Sequence, residues 1–259
     1  MKRLLLVIVA YRTSLERVER LRECLECLRP DIGYAIASNS HDINGPVNLL
    51  RNGAEMFQAN TKNLGYGRAF NNIVRSLDST PEYIAILNDD VWWDNTTIES
   101  ILDWLIDHAA VVVASPRILN EAKSVNYLCK HHPTILALLS RRFLPDWLKP
   151  DKIKKYDQWF TMSSYDYDKV FSVQYLSGCC MFFSTKALFK AGLFDERYFL
   201  YLEDADITRS MATYGDAVHL GIFSIYHSWG RGSHKTLMLT LVNIQSSIKY
   251  FRKWGIKLF

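Results

Sequence analysis

No stretch of the 259-residue chain approaches the roughly 18 consecutive apolar residues that a bilayer span requires, so nothing in it reads as a membrane-spanning helix. Cysteine is sparse and odd in number, five in all. That does not fit the paired framework of a disulfide-stapled secreted domain and favours a reducing compartment. Cys24-Leu25-Glu26-Cys27 has redox-pair spacing, but it lies in a helical pattern with no second pair to complete a zinc site. It reads as two half-buried helix positions, and Cys179 and Cys180 read as small core residues of a strand. No long block of like charge is present, and the net charge is only +4, which argues against nucleic acid as a partner. Internal repeats and low-complexity tracts are also missing. Met1-Lys2-Arg3 ahead of Leu4 to Ala10 has no small-residue cleavage site, so the apolar run reads as a buried first strand and not a leader. With 49% hydrophobic and 22% charged residues, the expectation is one continuous, cytoplasmic, globular domain over 1–259.

What is present alternates between strand and helix periods. Leu4 to Ala10 is a continuous apolar strand, and Ser14 caps a helix carrying Leu15, Val18, Leu21, Leu25 and Leu28 until Pro30 stops it. Strands are expected at Tyr34 to Ala37, Glu55 to Ala59, Tyr83 to Leu87 and Val111 to Ala114. Between them, Asn63 to Gly67 feeds a helix with Phe70, Ile73, Val74 and Leu77, and Thr96 with Glu99 predicts a capping box for a helix from Ile98 to Ile106. Such alternation implies βαβ units and an α/β fold with a mostly parallel sheet, whose ligands gather at the carboxyl ends of strands. Tyr11, Asn39, Asn63 and Asn88 to Asp90 fall at such ends.

The stretch 120–169 breaks the pattern with three prolines, many aromatics and the basic amphipathic run Ile135 to Lys149. It reads as an insertion between a half at 1–119 and a half at 170–259. The second half should hold strands at Phe171 to Leu176 and Cys179 to Ser184, then a helix near Lys186 to Ala191 and another from about Glu203. Strands at Ala217 to Leu220 and Ile222 to Tyr226 lead to His227, and a cationic, aromatic helix closes the chain from Thr236.

Two acidic clusters carry the chemistry. Asn88-Asp89-Asp90 at a strand end supplies the one or two carboxylates that Mg2+ or Mn2+ needs when phosphate oxygens and water complete its shell; the alternative is an Asn-Asp turn that ends a strand. Glu203-Asp204-Ala205-Asp206 opens a helix, where its dipole favours carboxylates, and Asp206 with Arg209 has ion-pair spacing. Asp204, approached by Phe194, Tyr198, Phe199, Leu200, Tyr201 and Leu202 and flanked by Glu203, is placed to act as a general base. His227 precedes the Gly-rich basic loop Ser228 to Lys235, in which backbone N–H groups, Arg231 and Lys235 suit a diphosphate.

Taken in order, Ala10-Tyr11-Arg12, Asn63-Leu64-Gly65-Tyr66-Gly67-Arg68 with Asn71, Leu87-Asn88-Asp89-Asp90, Ser177-Gly178-Cys179-Cys180-Met181, Phe194-Asp195-Glu196 to Asp206, and His227 to Ser233 form a specific set. The chain resembles the inverting nucleotide-sugar glycosyltransferases of family two, with the GT-A fold, in particular their rhamnosyltransferase-like members. That resemblance implies Asp204 as catalytic base beside Glu203, and Asp90 and His227 as metal ligands. It implies nucleotide-sugar contacts from Tyr11, Arg12, Asn39, Asn63, Gly65, Arg68, Asn88, Asp89, Gly178, Arg231 and Ser233. Ser38 stands where the family usually has an aspartate that contacts the base. The implied partners are a nucleoside-diphosphate sugar and a glycan or lipid-linked glycan. The two amphipathic cationic stretches add peripheral contact with the cytoplasmic face of a membrane, where such helices lie when they do not simply pack on a core. Two other readings share these residues: a non-catalytic binder of nucleotide sugars or glycans, and a two-carboxylate glycoside hydrolase.

Overall fold

The structure is a computed structural model that describes residues 2–40, 45–228 and 237–259. Strand β1 (Leu4–Ala10) is buried from end to end. Its side chains alternate between two apolar layers, with Leu4, Leu6 and Ile8 in one and Leu5, Val7 and Val9 in the other. A strand covered on both faces needs an unbroken apolar run, which is what this segment has. The first layer is closed by α1 (Leu15–Glu26) and α3 (Thr97–Asp107). The second is closed by α2 (Tyr66–Arg75), α6 (Thr185–Lys190) and α7 (Glu203–Met211). Phe70, Ile73 and Val74 of α2 are almost wholly removed from water, each worth about 1.5–3 kcal/mol relative to an exposed position.

The remaining strands are β2 (Ile32–Ser38), β3 (Met56–Ala59), β4 (Tyr83–Asn88), β5 (Val91–Trp92), β6 (Val111–Leu119), β7 (Val170–Ser172), β8 (Cys180–Ser184) and β9 (Asp216–His227). Among the described residues they form one sheet in the order β3-β2-β1-β4-β8-β6-β9-β5, with β7 also on β9. The first four are parallel, and here strand and helix alternate in the sequence. The second half is mixed: β8 enters antiparallel between β4 and β6, whereas β9 returns parallel to β6.

Several local expectations change. The two strands expected at Ala217 to Leu220 and Ile222 to Tyr226 are one strand, β9, whose register against β6 jumps from Pro116↔Leu220 to Arg117↔Ser224. Pro116 sits at this bulge, where a missing N–H leaves no ladder bond unmade. The strand expected over Phe171 to Leu176 ends at Ser172, and Tyr175 keeps only an isolated bridge to Lys130. The capping box does not form: Thr96 is left-handed at φ 68, and Glu99 accepts from the Arg29 backbone N–H at 3.1 Å instead. Asp206 does not pair with Arg209 either. It is bound by Lys253 Nζ at 2.7 Å and Trp254 Nε1 at 2.6 Å, both from α8 (Leu237–Trp254), and Arg209 lies over the Trp254 ring.

Within 120–169 lie α4 (Ile135–Phe143), a 3-10 turn at Asp146–Leu148 and α5 (Asp151–Phe160). Lys149 pins them, its ammonium buried between Asp157 at 2.6 Å and Asp146 at 2.8 Å. The start of α4 is held by the end of the chain, where Ile135 and Leu136 donate backbone N–H to the carbonyls of Lys257 and Leu258.

Gly65 shows how tightly the loop before α2 is built. It adopts φ 86 and ψ −177, a region essentially reserved for glycine, and a Cβ there would lie 2.3 Å from the Phe199 carbonyl oxygen. Gly65→Ala is expected to cost about 3 kcal/mol or more of stability, read as a lower urea midpoint. An unchanged midpoint would mean that this backbone relaxes freely.

Candidate functional site

The carboxyl ends of β1, β2 and β4 lie along one edge of the sheet, as their parallel pairing requires. On this edge the β9 register brings a distant residue home. Val91 of β5 is paired with His227, and the Ser228 N–H bonds the Asp90 carbonyl at 2.9 Å, so the imidazole stands beside the first acidic cluster. His227 Nε2 is 2.9 Å from Asp90 Oδ1 and 3.3 Å from Asn88 Nδ2, and Arg17 approaches the other Asp90 oxygen at 3.8 Å. The 2.9 Å approach lies off the direction a hydrogen bond needs. Asp90 Oδ1 is therefore a buried acceptor with no donor, and His227 Nδ1 is likewise without a partner.

An unmatched carboxylate oxygen beside an imidazole nitrogen fits one flank of a divalent cation. Among the described residues no third His, Cys, Asp or Glu joins them. A cation held here takes its other donors from phosphate and water, which is how Mg2+ and Mn2+ commonly sit on nucleotides.

The second cluster opens α7. Asp204 Oδ1 caps its own helix through the Ala205 N–H at 2.9 Å, and Oδ2 accepts from the Gly178 N–H at 3.0 Å. A Cβ on Gly178 would lie 3.3 Å from Asp204 Cβ and 3.4 Å from the Tyr66 ring, so glycine permits the approach. Tyr66 donates its hydroxyl to the Gly178 carbonyl at 2.6 Å, and Tyr175 packs in one apolar cluster with Leu202 and Ala205. Glu203 faces inward: it is 5% exposed and its Oε2 has no hydrogen-bond partner. Burial first, and then the charge of Asp204, push its carboxyl well above the usual 4.5.

The two clusters meet across one short segment. Gly178 is bonded to Asp204, and the next residue, Cys179, accepts the Asn88 N–H at 2.9 Å. Burial pushes the Cys179 thiol up to about 12, and the charges of both Asp90 and Asp204 reach it. The elements that carry Asp90 and Asp204 thus meet at Gly178 and Cys179.

Other candidates point elsewhere. Asn39 is buried and fully used, donating to the Gly65 carbonyl and accepting from Asn60 Nδ2 and the Leu64 N–H, so it ties β2 to the 60–65 loop. Asn63 closes a turn onto the Gly65 N–H at 2.9 Å. Arg68 leaves the cleft for Glu196 at 3.2 Å, which Arg75 and Asn71 also bind. Asp89 turns back to the Tyr11 N–H and the Thr13 hydroxyl, and burial raises its pKa. Tyr11 and Arg12 remain at the open end of β1, with Tyr11 exposed and the Arg12 guanidinium 5.2 Å from its ring centre. Arg231 and Ser233 lie outside the described residues. Sequence reasoning missed roles for Thr13, Arg17 and Tyr66; of these only Tyr66 lies inside a motif.

The family model described as Glycosyl transferase family 2 matches residues 57–189. Two curated Mycobacterium tuberculosis proteins, from strains CDC 1551 / Oshkosh and H37Rv and both named N-acetylglucosaminyl-diphospho-decaprenol L-rhamnosyltransferase, are 28% identical over 171 residues. The match covers 62% of this chain and 52% of theirs, so the chain spans about half the length of these relatives. Among solved structures, GalNAc-T7 with UDP, GalNAc and Mn2+ superposes with a TM-score of 0.66 at 10% identity, over 97% of this chain and 48% of that one. The mannosyltransferase PcManGT from Pyrobaculum calidifontis with GDP-Man and Mn2+ gives 0.62 at 15%, over 96% and 64%. At such identities the shared property is the GT-A fold.

The buried Glu203 makes stability depend on pH. The folded protein keeps a proton that the unfolded chain releases above its ordinary value of 4.5, so this residue lowers stability progressively as pH rises from there towards its raised folded value. Glu203→Gln should therefore show a shallower loss of stability between pH 5 and 8 than the parent, measured by denaturant titration across the range. Parallel curves would mean that the Glu203 proton is not linked to folding.

Proposed function

The chain belongs to glycosyl transferase family 2, and from that premise we propose that it moves a sugar, rhamnose by analogy with its relatives, from a nucleoside-diphosphate donor to a hydroxyl of a glycan or lipid-linked glycan, with inversion. The observation that carries this reading is the Gly178-Cys179 segment, bonded to Asp204 on one side and to Asn88 on the other. A donor diphosphate beside Asp90 and His227 leaves its sugar facing Asp204.

In this reading Asp204 takes the proton of the acceptor hydroxyl. The acceptor oxygen forms a bond to the anomeric carbon as the bond from that carbon to the diphosphate breaks, and the nucleoside diphosphate departs. The Gly178 N–H fixes one Asp204 oxygen, so the carboxylate holds its orientation while the other contacts change. Asp90 and His227 are the residues that would hold Mg2+ or Mn2+, which when bound neutralises charge on the departing diphosphate. Tyr11 and Arg12, at the open end of β1, are available to the nucleoside. Asn39, Asn63, Arg68 and Asp89 shape the loops around it, and Glu203, buried and disposed to keep its proton, supports Asp204 from behind.

The acceptor side also presents a surface for lipid. On α4 and the turn after it, Leu139, Phe143, Trp147 and Leu148 are exposed, as are Leu237, Met238 and Leu241 of α8. Arg142 joins the two segments through Thr240 at 2.6 Å. With Arg141, Lys152 and Lys155 nearby in the sequence, this face suits peripheral seating on an anionic membrane, at the cytoplasmic face in this reading. None of the described helices is long and apolar enough to cross a membrane.

Asp204→Asn is expected to retain donor binding in the presence of Mn2+ and to lose at least about 100-fold in transfer; near-normal turnover would remove Asp204 as the base. Asp90→Asn should instead weaken cation-dependent donor binding, measured by calorimetry with and without chelator. The membrane face is checked by co-sedimentation with phosphatidylglycerol-containing vesicles, with binding expected at low salt and reduced in Trp147→Ser. Failure to bind such vesicles at low salt would retire it.

A further inference from the structure

The turn that leads into Asp204 is strained. Tyr201 and Leu202 both lie in the left-handed region, at φ 71 and φ 64, where a residue with a Cβ is held only if its surroundings compel it. Leu202 is also the N-cap of α7, so its backbone sets the direction in which the helix leaves the loop with Asp204 in its first turn. Relaxation of either residue towards negative φ would swing the start of α7 and carry Asp204 off the Gly178 N–H.

Much of the restraint comes from α8, which grips the chain on both sides of this turn. Ahead of it, Ser246 donates its hydroxyl to the Leu200 carbonyl at 2.8 Å and Lys249 donates to the Arg197 carbonyl at 2.5 Å. After it, the Asp206 N–H closes the first turn of α7 on the Leu202 carbonyl at 2.9 Å. The Asp206 carboxylate is held in turn by Lys253 at 2.7 Å and Trp254 at 2.6 Å. Asp206 is buried, so these charge-assisted bonds are little screened by solvent. Between the two grips, Tyr250 packs in one apolar cluster with Tyr198, Leu202 and Ala205, the residue after Asp204. Ser246, Tyr250 and Lys253 follow one another at intervals of four and three, which sets them on one face of α8. On the side of α2 the same loop is held by the Tyr66 N–H, which donates to the Phe199 carbonyl at 3.2 Å.

We propose that Ser246, Lys253 and Trp254 of α8 are positioning residues for Asp204: they clamp the strained Tyr201-Leu202 turn at its two ends and so fix the direction in which α7 presents the carboxylate. None of the three touches the donor flank at Asp90 and His227, so their effect falls on the base alone. For its consequence in transfer, though not for the clamp itself, the proposal rests on the reading of Asp204 as the base.

The first test needs no glycosyl transfer. The Gly178 N–H is bonded to Asp204 Oδ2, so its exchange with solvent reports where that carboxylate stands. Native-state amide exchange of the full chain is followed by NMR, and the Gly178 rate is divided by that of Val7 in the buried centre of β1. In Trp254→Phe and in Ser246→Ala this ratio should rise about tenfold, as a local opening does. A contact that merely adds to overall stability would move both amides together and leave the ratio as in the parent. Lys253→Met should raise the ratio as well, and Lys253→Arg should restore it. The phenylalanine and alanine variants each remove one hydrogen bond and keep the packing, so they decide the matter even where Lys253→Met fails to fold. An unchanged ratio in either of them would overturn the proposal, and Lys253→Arg behaving as Lys253→Met would remove Lys253 from the clamp.

The second test is kinetic. With Mn2+ and saturating acceptor, Trp254→Phe and Ser246→Ala should each lower kcat about tenfold or more at constant donor KM, because a small displacement of the base is enough to slow an aligned reaction. A raised donor KM at constant kcat would overturn the positioning role. Faster Gly178 exchange with kcat unchanged would count against Asp204 as the base and leave the clamp standing. Absence of transfer in the parent would likewise count against the proposed function, and the exchange ratio would still decide the clamp.

Discussion

Gly178 has no side chain, and that sets how closely the first turn of α7 approaches the end of β8. Its N–H bonds Asp204 at 3.0 Å and its carbonyl takes the Tyr66 hydroxyl at 2.6 Å, so one peptide is gripped from α7 and from α2. The neighbouring Cys179 carbonyl meets the Asn88 N–H at the end of β4. Three elements far apart in the chain are thus registered through two residues. A Cβ at 178 would lie 3.3 Å from Asp204 Cβ and 3.4 Å from the Tyr66 ring, so those neighbours would have to give by a few tenths of an ångström.

The other constraint is the antiparallel entry of β5 onto β9. Only two residue pairs form that ladder, Val91↔His227 and Trp92↔Tyr226, yet they place the imidazole against Asp90. The stacked Trp92 and Tyr226 rings, with Arg20 over Trp92, brace a ladder too short to stand alone. The β9 bulge, three residues longer than the matching stretch of β6, brings His227 into this register. Local strand length and the chemistry at its end are therefore coupled.

How much of this was legible in the sequence follows from how local each signal is. The parallel half of the sheet, α1, α2 and the start of α7 at Glu203 came from apolar periodicity and caps, because their burial patterns repeat within ten residues or so. The mixed half was not legible: no local pattern tells β8 to insert between β4 and β6, or joins two apparent strands across a bulge into β9. The Thr96 capping box failed for a similar reason. Glu99 has a better donor in Arg29, 70 residues away. The bridge between Lys130 and Tyr175, 45 residues apart, carried no motif at all.

Among the motif residues, hydrogen-bond satisfaction separates those that serve the protein from those left for a ligand. Asn39 spends its carbonyl oxygen on two donors and its amide on a backbone carbonyl, so turning it towards a nucleotide would strip the 60–65 loop of its anchors. Asp89 is occupied by Tyr11 and Thr13, and Arg68 by Glu196. Asp90 Oδ1, His227 Nδ1 and Glu203 Oε2 are buried without partners, and leaving such groups unmatched costs stability. Sequence patterns see the residue types at these positions equally well. Only the folded geometry distinguishes the polar atoms already used from those still open.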